Sequence, residues 1–326
     1  MLALALSGLG FQPVALSAKE QPPVKVKDKG ALQGAQQVAV VAFNVGFIFE
    51  SVDATAATGG LMGAFGGTTK AKSELVGVTP EMMQAIADAA YADFVAQLEA
   101  RGFTVVDPAT VFSDPAFAKV KGADSPVEIK LALEKKSKGK AVFYKPSQLP
   151  IQVLLAGDFQ GSGMSSMGLN MTAGQNSYQV ASWAKSANVA AIDATYLIDF
   201  SDQKRPGAFS FGGLKVNANL SVVPGFSRVT AIGPNGKTNE LVLGQPYSVD
   251  GDFIEVADAS SSGEKTTQAA ANVAGGVAAV FGLGGLRFGK TRKFEFTAKP
   301  GNYEEGATKA ASLANEQVTA ALAGQR

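Results

Sequence analysis

The chain of 326 residues contains no cysteine and no histidine. Without cysteine there is no disulfide, no thiolate nucleophile, no Cys-ligated zinc or iron–sulfur cluster and no lipid-modified N-terminal cysteine. Without histidine, the side chain that titrates closest to neutral pH is missing. Ser-His-Asp triads, HExxH zinc sites and histidine-ligated haem are excluded with it. Carboxylate pairs, Ser-Lys chemistry and oxygen-ligated metals survive. Charge is scarce as well. Only 17% of residues are charged, and 29 Lys+Arg against 28 Asp+Glu leave a net charge of +1. Nothing in that total favours nucleic acid or an anionic membrane. What is plentiful is apolar content, 46%, and glycine, 37 residues. The first is ample for a real core.

The chain opens MLALALSGLGFQPVALSA and then turns polar at KEQPPVKVKDKG. An apolar run followed by small residues reads as a signal-peptide core with its cleavage region, cut after Ser17 or Ala18, although the basic n-region is missing. The stretch is too short, and too broken by Gly and Pro, to span a bilayer as a helix. The expectation is therefore a signal peptide over 1–18, a linker over 19–36 and one α/β domain over 37–326. Its place is the periplasm or the periphery of the outer membrane, as an exported protein that is not a lipoprotein.

Gln37 to Phe49 (QVAVVAFNVGFIF) is a continuous β-branched and aromatic run, as expected of a strand buried on both faces. A Gly/Ala-rich stretch without period follows over 54–72 and reads as a loop. Thr79-Pro80-Glu81 is a helix start, with a capping hydroxyl, a proline for the first turn and an acid for the positive dipole end. Met83, Ile86, Ala90, Phe94 and Leu98 then recur at helical spacing, and Gly102 closes the helix. GFTVVDP follows as a short strand. Residues 113–175 read as an irregular insertion, with KLALEKKSKGK as a short surface helix and PIQVLLAGDF as a strand. NSYQVASWAKSAN reads as a short helix. NVAAIDATYLIDF, LKVNANLSVVP and SRVTAIGPNGKTNELVLG read as an antiparallel meander, with a type I′ turn at Asn235-Gly236. A second Gly-rich loop over 269–290 precedes the strand KFEFTA, and a helix from Tyr303 to Ala323 ends the chain. The fold class is α/β (α+β): a mixed sheet with an antiparallel meander, packed by the long helix after the first strand and by the C-terminal helix.

Gly284 to Thr291, GGLRFGKT, fits the phosphate-cradling pattern G-x-x-x-x-G-K-[ST]. A working P-loop runs from a buried strand into a helix whose N-terminal amides hold the phosphates. Here Thr291 leads into RKFEFTAKP, where Phe294 and Phe296 alternate with Lys293, Glu295 and Thr297. That is a half-exposed strand. An apolar run ending in an acid, TYLID to Asp199, does exist, but it precedes the motif in the chain. In a glycine-rich exported protein the match is one of composition, and nucleotide is not expected as a ligand.

Other chemistry is thin. Asp250 and Asp252 resemble the start of a calcium loop without its twelve-residue frame, and read as a turn. Ser162, Ser165 and Ser166 have no histidine to activate them, and Lys185 is the only base nearby. Glu304 and Glu305 suit a helix N-terminus. Trp183 reads as a core anchor. No catalytic set, cofactor site or metal site emerges. The apolar residues of the two Gly-rich stretches, Leu61, Met62, Phe65, Phe281, Leu283, Leu286 and Phe288, are costly to leave exposed and form a candidate assembly surface.

The order of elements resembles a known family. A VAVVAF strand leads to a helix ending FVAQLEARGFTVVDP. A strand within SANVAAIDATYLIDF, the VNANLSVV strand and an Ala-rich closing helix follow. This is similar to the envelope family of the curli-secretion channel subunit CsgG and its relatives with TolB-N-like domains. The chain departs from that pattern in its missing lipobox cysteine, in Pro108 after VVD and in the 113–175 insertion. The resemblance implies an α/β envelope domain that assembles into rings, in some members with hairpins in the outer membrane. The expectation is a non-enzymatic envelope protein that acts through protein–protein assembly. Its partners are other envelope proteins and copies of itself, with outer-membrane association and a role in a secretion or assembly complex, and with no nucleic acid or nucleotide. The alternative is a periplasmic protein that binds a small ligand.

Overall fold

A computed structural model of the protein describes residues 22–56, 68–134, 137–159, 165–204, 215–259 and 290–326. The segment 1–18 read as a signal peptide, the centres of both Gly-rich stretches and the candidate surface residues Leu61, Met62, Phe65, Phe281, Leu283, Leu286 and Phe288 lie outside the described residues.

The architecture is mixed α/β, with one large mixed sheet of 13 strands and four α-helices among the described residues. Its spine is β2 (Gln37–Ala56), flanked on one edge by the parallel strand β7 (Ala190–Lys204). From Val38 to Ile48 and from Ala190 to Ile198 the two strands are buried on both faces, because helices or loops cover both sides. Val38, Val40, Phe43, Val45 and Phe47 point into one core cluster, while Ala39, Val41 and Ala42 point into a second. The register against β7 shifts between Val40 and Ala42, a bulge that lets two consecutive residues face the same layer.

The first layer is built by α1 (Pro80–Ala100) and α4 (Asn302–Ala323). Thr79 caps α1, its side chain accepting from Met82 N at 3.3 Å. At the far end Gly102 takes φ +79, and Phe103 N donates to Leu98 O at 3.1 Å, a left-handed glycine stop. Met83, Ile86, Ala90, Phe94 and Leu98 are buried as their spacing requires. The Ala307, Ala310, Ala311 and Ala314 stripe of α4 is fully covered and lets the two helices approach closely. A polar seam fixes their register: Asn315 Nδ2 donates to Ala90 O (3.0 Å) and to Asp93 (2.7 Å).

The second layer is α2 (Pro108–Ser113), a 3-10 turn (Phe117–Lys119) and α3 (Ser165–Ala187). Trp183 anchors it, 3% exposed, edge-on to Phe117 and donating through Nε1 to Asp114 at 2.9 Å.

Several expectations need correction. Over its described part, 22–36, the expected linker is not free: β1 (Val24–Lys27) pairs with β10 (Thr238–Leu243), and Ala31 and Leu32 are buried. KLALEKKSKGK is not a helix but parts of β5 (Val127–Glu134) and β6 (Ser137–Tyr144). Buried Val127, Ile129 and Leu131 alternate with exposed Glu128 and Lys130, a period of two that outranks the helix propensity of Leu, Glu and Lys. PIQVLLAGDF is an irregular strap, bridged to the chain only at Gln152 with Ala123. It is buried without pairing because side chains take up its backbone groups. The short helix at NSYQVASWAKSAN is the second half of α3, whose 23 residues begin at Ser165. The Asn235-Gly236 turn is not type I′, since only Gly236 has positive φ (+77); the turn bond runs from Gly236 N to Gly233 O.

Candidate functional site

The sheet divides where its central strands emerge from the helical layers. β7 follows β2 as far as the Phe47–Ile198 pair. From Glu50 onward β2 pairs instead with β3 (Thr68–Val76). β6 holds the opposite edge of β2 from Val45 to Val52, so β3 occupies the edge that β7 leaves. β3 then carries β13 (Lys290–Ala298) in parallel, and β13 carries β12 (Ile254–Asp258) antiparallel. β7 diverges with β8 (Lys215–Val222) on its other edge.

These pairings fix a common direction. β2, β5, β7 and β12 all run toward one end of the sheet, and β3, β6, β8 and β13 all return from it. Four connections therefore leave from the same end: 57–67, 135–136, 205–214 and 259–289. Both Gly-rich stretches are among them. The sequence placed these stretches in two unrelated loops; the topology brings their strand ends to one place. The 54–72 loop is also shorter than expected, because 54–56 and 68–72 are strand.

The base of this end is polar. Glu50, Glu74 and Glu295 lie side by side across β2, β3 and β13, all exposed, and Lys72 and Lys293 form the next row outward. Half-exposed Lys140 pairs with Glu128 at 2.9 Å, and its positive charge is held more firmly by that contact, which raises its pKa. A Lys or Arg facing hydrocarbon costs about 2–4 kcal/mol at mid-bilayer and a Glu less, so the face that carries these rows is suited to water. On the other side of the same strands Ser73, Leu75 and Phe296 are buried, with Phe296 edge-on to Phe200 at 4.9 Å. β5 and β12, at the two flanks of this group, each pair with a single neighbour among the described strands. A shallow hollow of about 400 Å³ opens beside the base, lined by Glu50, Glu74, Met83, Lys140 and Tyr144.

The remaining sequence candidates are dispersed. Lys290 begins β13, so the motif runs into a strand where a P-loop would run into a helix, in keeping with the strand read from RKFEF. Asp252 receives Lys299 Nζ at 2.7 Å, and its carbonyl accepts from Asn302, so this acid serves a turn against the start of α4. Glu304 accepts from Gly301 N at 2.7 Å and caps the same helix, and Glu305 pairs with Lys309, which lowers its pKa. Lys185 is exposed near the end of α3; Ser162 and the side chains of Ser165 and Ser166 lie outside the described residues. Among the described residues no cluster of three or more acidic side chains is placed to hold a metal, and no helix is long and apolar enough to cross a membrane.

Sequence reasoning passed over one buried cluster, Asp158 with Asp193 and Arg228. The signal was present. Asp193 is a lone acid in the strand AAIDATYLI, inside a run otherwise suited to complete burial. Compared with protein-family models, with curated proteins and with solved structures, the chain finds no match in any of the three.

Proposed function

We propose that this chain is an exported, non-enzymatic envelope protein that acts by assembly, and that the end of the sheet where the four connections leave is its assembly surface. One observation carries the reading. Strands that belong to different parts of the chain converge so that both glycine-rich, Leu/Phe-bearing stretches depart from one edge of the molecule. A flanking strand such as β5, which pairs with one neighbour among the described strands, is a natural site for a further strand, from another copy or from a partner. The charged rows at the base confine any lipid contact of the hairpins to residues beyond Val52, Lys72 and Lys293. A relationship to the CsgG-like and TolB-N-like envelope proteins is part of this proposal and rests on the order of elements.

The test replaces residues 57–67 by an Asn-Gly turn, which suits a two-residue hairpin. The folded body keeps its melting temperature, and the oligomer or membrane-bound fraction falls. Loss of folding without a separate loss of assembly would count against the reading. So would a monomer whose melting temperature rises with a small metabolite, since a ligand that binds only the folded state stabilises it.

A further inference from the structure

The strap from Gln152 to Asp158 crosses the second face of the sheet and is held by side chains along its length. Gln152 Nε2 donates to Asn44 Oδ1 (3.1 Å), Asn44 Nδ2 to Val153 O (3.1 Å), and Asn176 Nδ2 to Leu154 O (3.2 Å). Ala156 N donates to Ser177 Oγ at 2.9 Å, and Arg228 Nη2 donates to Ala156 O at 2.8 Å. The guanidinium lies directly over Gly157, whose φ is +91 and where a Cβ would collide with it.

The last anchor has a different character. Asp158 is 4% exposed and accepts from Leu155 N at 2.6 Å through Oδ2. Its carboxyl interacts with that of Asp193, 1% exposed, which lies on β7 two residues before Thr195, the cross-strand partner of Arg228. Asp158 Oδ1 and both oxygens of Asp193 have no donor. Arg228 is the cation facing the pair, and its Nη1 is already 3.6 Å from Glu240, which Lys27 also contacts at 3.1 Å. Two ionised carboxylates side by side, cut off from water, repel each other and lack hydrogen bonds; a single proton between them removes both penalties. Burial raises both acids. Asp193 is raised further by its neighbour's charge, whereas the bond with Asp193, the Leu155 amide and Arg228 pull Asp158 back down.

We propose that Asp193 keeps a proton and donates it to Asp158, and that this bond latches the end of the strap to β7, holding it more tightly in acid than at neutral or alkaline pH. The direction follows from linkage. A folded-state value raised above the ordinary 3.8 means the latch contributes fully below that value and is lost as pH rises through the raised one.

The experiment measures melting temperatures of wild type, Asp193→Asn and Asp158→Asn from about pH 4 to about pH 9. The carboxamide introduced by Asp193→Asn would donate an N–H to Asp158 at every pH. The expected result is that Asp193→Asn melts level with or below wild type in acid and increasingly above it as pH rises. Each tenfold step in the proton equilibrium is worth about 3–5 °C in a domain of 150–250 residues. Hydrogen-exchange protection of the Leu155 and Asp158 amides, corrected for intrinsic rate, falls with pH in wild type and stays level in Asp193→Asn. A gap between wild type and Asp193→Asn that is constant with pH overturns the proposal. So does stabilisation of wild type, but not of Asp193→Asn, by calcium or magnesium chloride, which would assign the pair to a cation. If neither variant folds, infrared spectra of wild type with 13C-labelled aspartate decide: a protonated carboxyl band that persists above the ordinary 3.8 and is lost as pH rises further supports the latch, and a band lost at the ordinary value overturns it.

Discussion

Phe94→Ala probes how the first layer is joined to the sheet. Phe94 has no exposed surface, and its ring centroid lies 5.4 Å from that of Phe43 on β2. Phe43 in turn meets Tyr91 and Tyr196 edge-on, both at 5.6 Å. Truncation therefore removes one ring of a cluster that joins α1, β2 and β7. Burial and cavity terms for Phe→Ala together run to about 3–5 kcal/mol. The site has little room to collapse, since β2 is paired on both edges and α1 is fixed by caps at both ends, which places the cost near ~4 kcal/mol. With an m value of ~3 kcal/mol/M in urea, the midpoint falls by about 1.3 M. Equilibrium urea unfolding, followed by Trp183 fluorescence and by circular dichroism, measures it. Tyr178→Ala is the control, because Tyr178 is 73% exposed and its loss should stay within about 0.5 kcal/mol. A Phe94→Ala midpoint within about 0.3 M of wild type, at unchanged m, would refute the packing described for this layer.

Other outcomes follow from single contacts. Asn315→Ala should cost about 1–3 kcal/mol, because Asp93 and Ala90 O lose a buried donor; urea unfolding reads it. Gly46→Ala places a Cβ 2.3 Å from the Phe143 ring and should destabilise by about 1–3 kcal/mol, with partial rescue by Phe143→Leu. Lys290→Ala should leave calorimetric ATP titrations as flat as those of wild type; ATP binding by wild type that disappears in the variant would make GGLRFGKT a nucleotide site after all. Phe65→Ala should leave the melting temperature within a few degrees yet reduce the oligomer in a dilution series, since a buried aromatic side chain is worth roughly 1.5–3 kcal/mol.

Much of the fold was legible because its signals are local. The Thr79-Pro80-Glu81 cap, the Met83-to-Leu98 face and Gly102 define α1 without reference to the rest of the chain, and Gln37–Phe49 declares a doubly covered strand by its unbroken apolar run. Where burial is arranged by distant partners, the sequence was mute. The strap 150–159 looks like a strand, yet Asn44, Asn176 and Arg228 take the backbone groups that strand pairing would have used. The Leu, Glu and Lys content of 130–140 suggested a helix, although the Val127, Ile129, Leu131 alternation was there to be weighed against it. Convergence of the two glycine-rich stretches depends on β3 pairing in parallel with β13, more than 200 residues away in the chain, and no local pattern encodes that. Asp193 was visible as an acid in an apolar run; its partner Asp158 was not.

Assembly through the hairpin end is tested most directly by the mass of the native particle, measured on protein taken from the envelope with and without detergent. A mass that is a fixed multiple of the chain mass, kept in detergent and lost when residues 57–67 are replaced by a tight turn, is the predicted result. A wild-type monomer under both conditions would contradict the account.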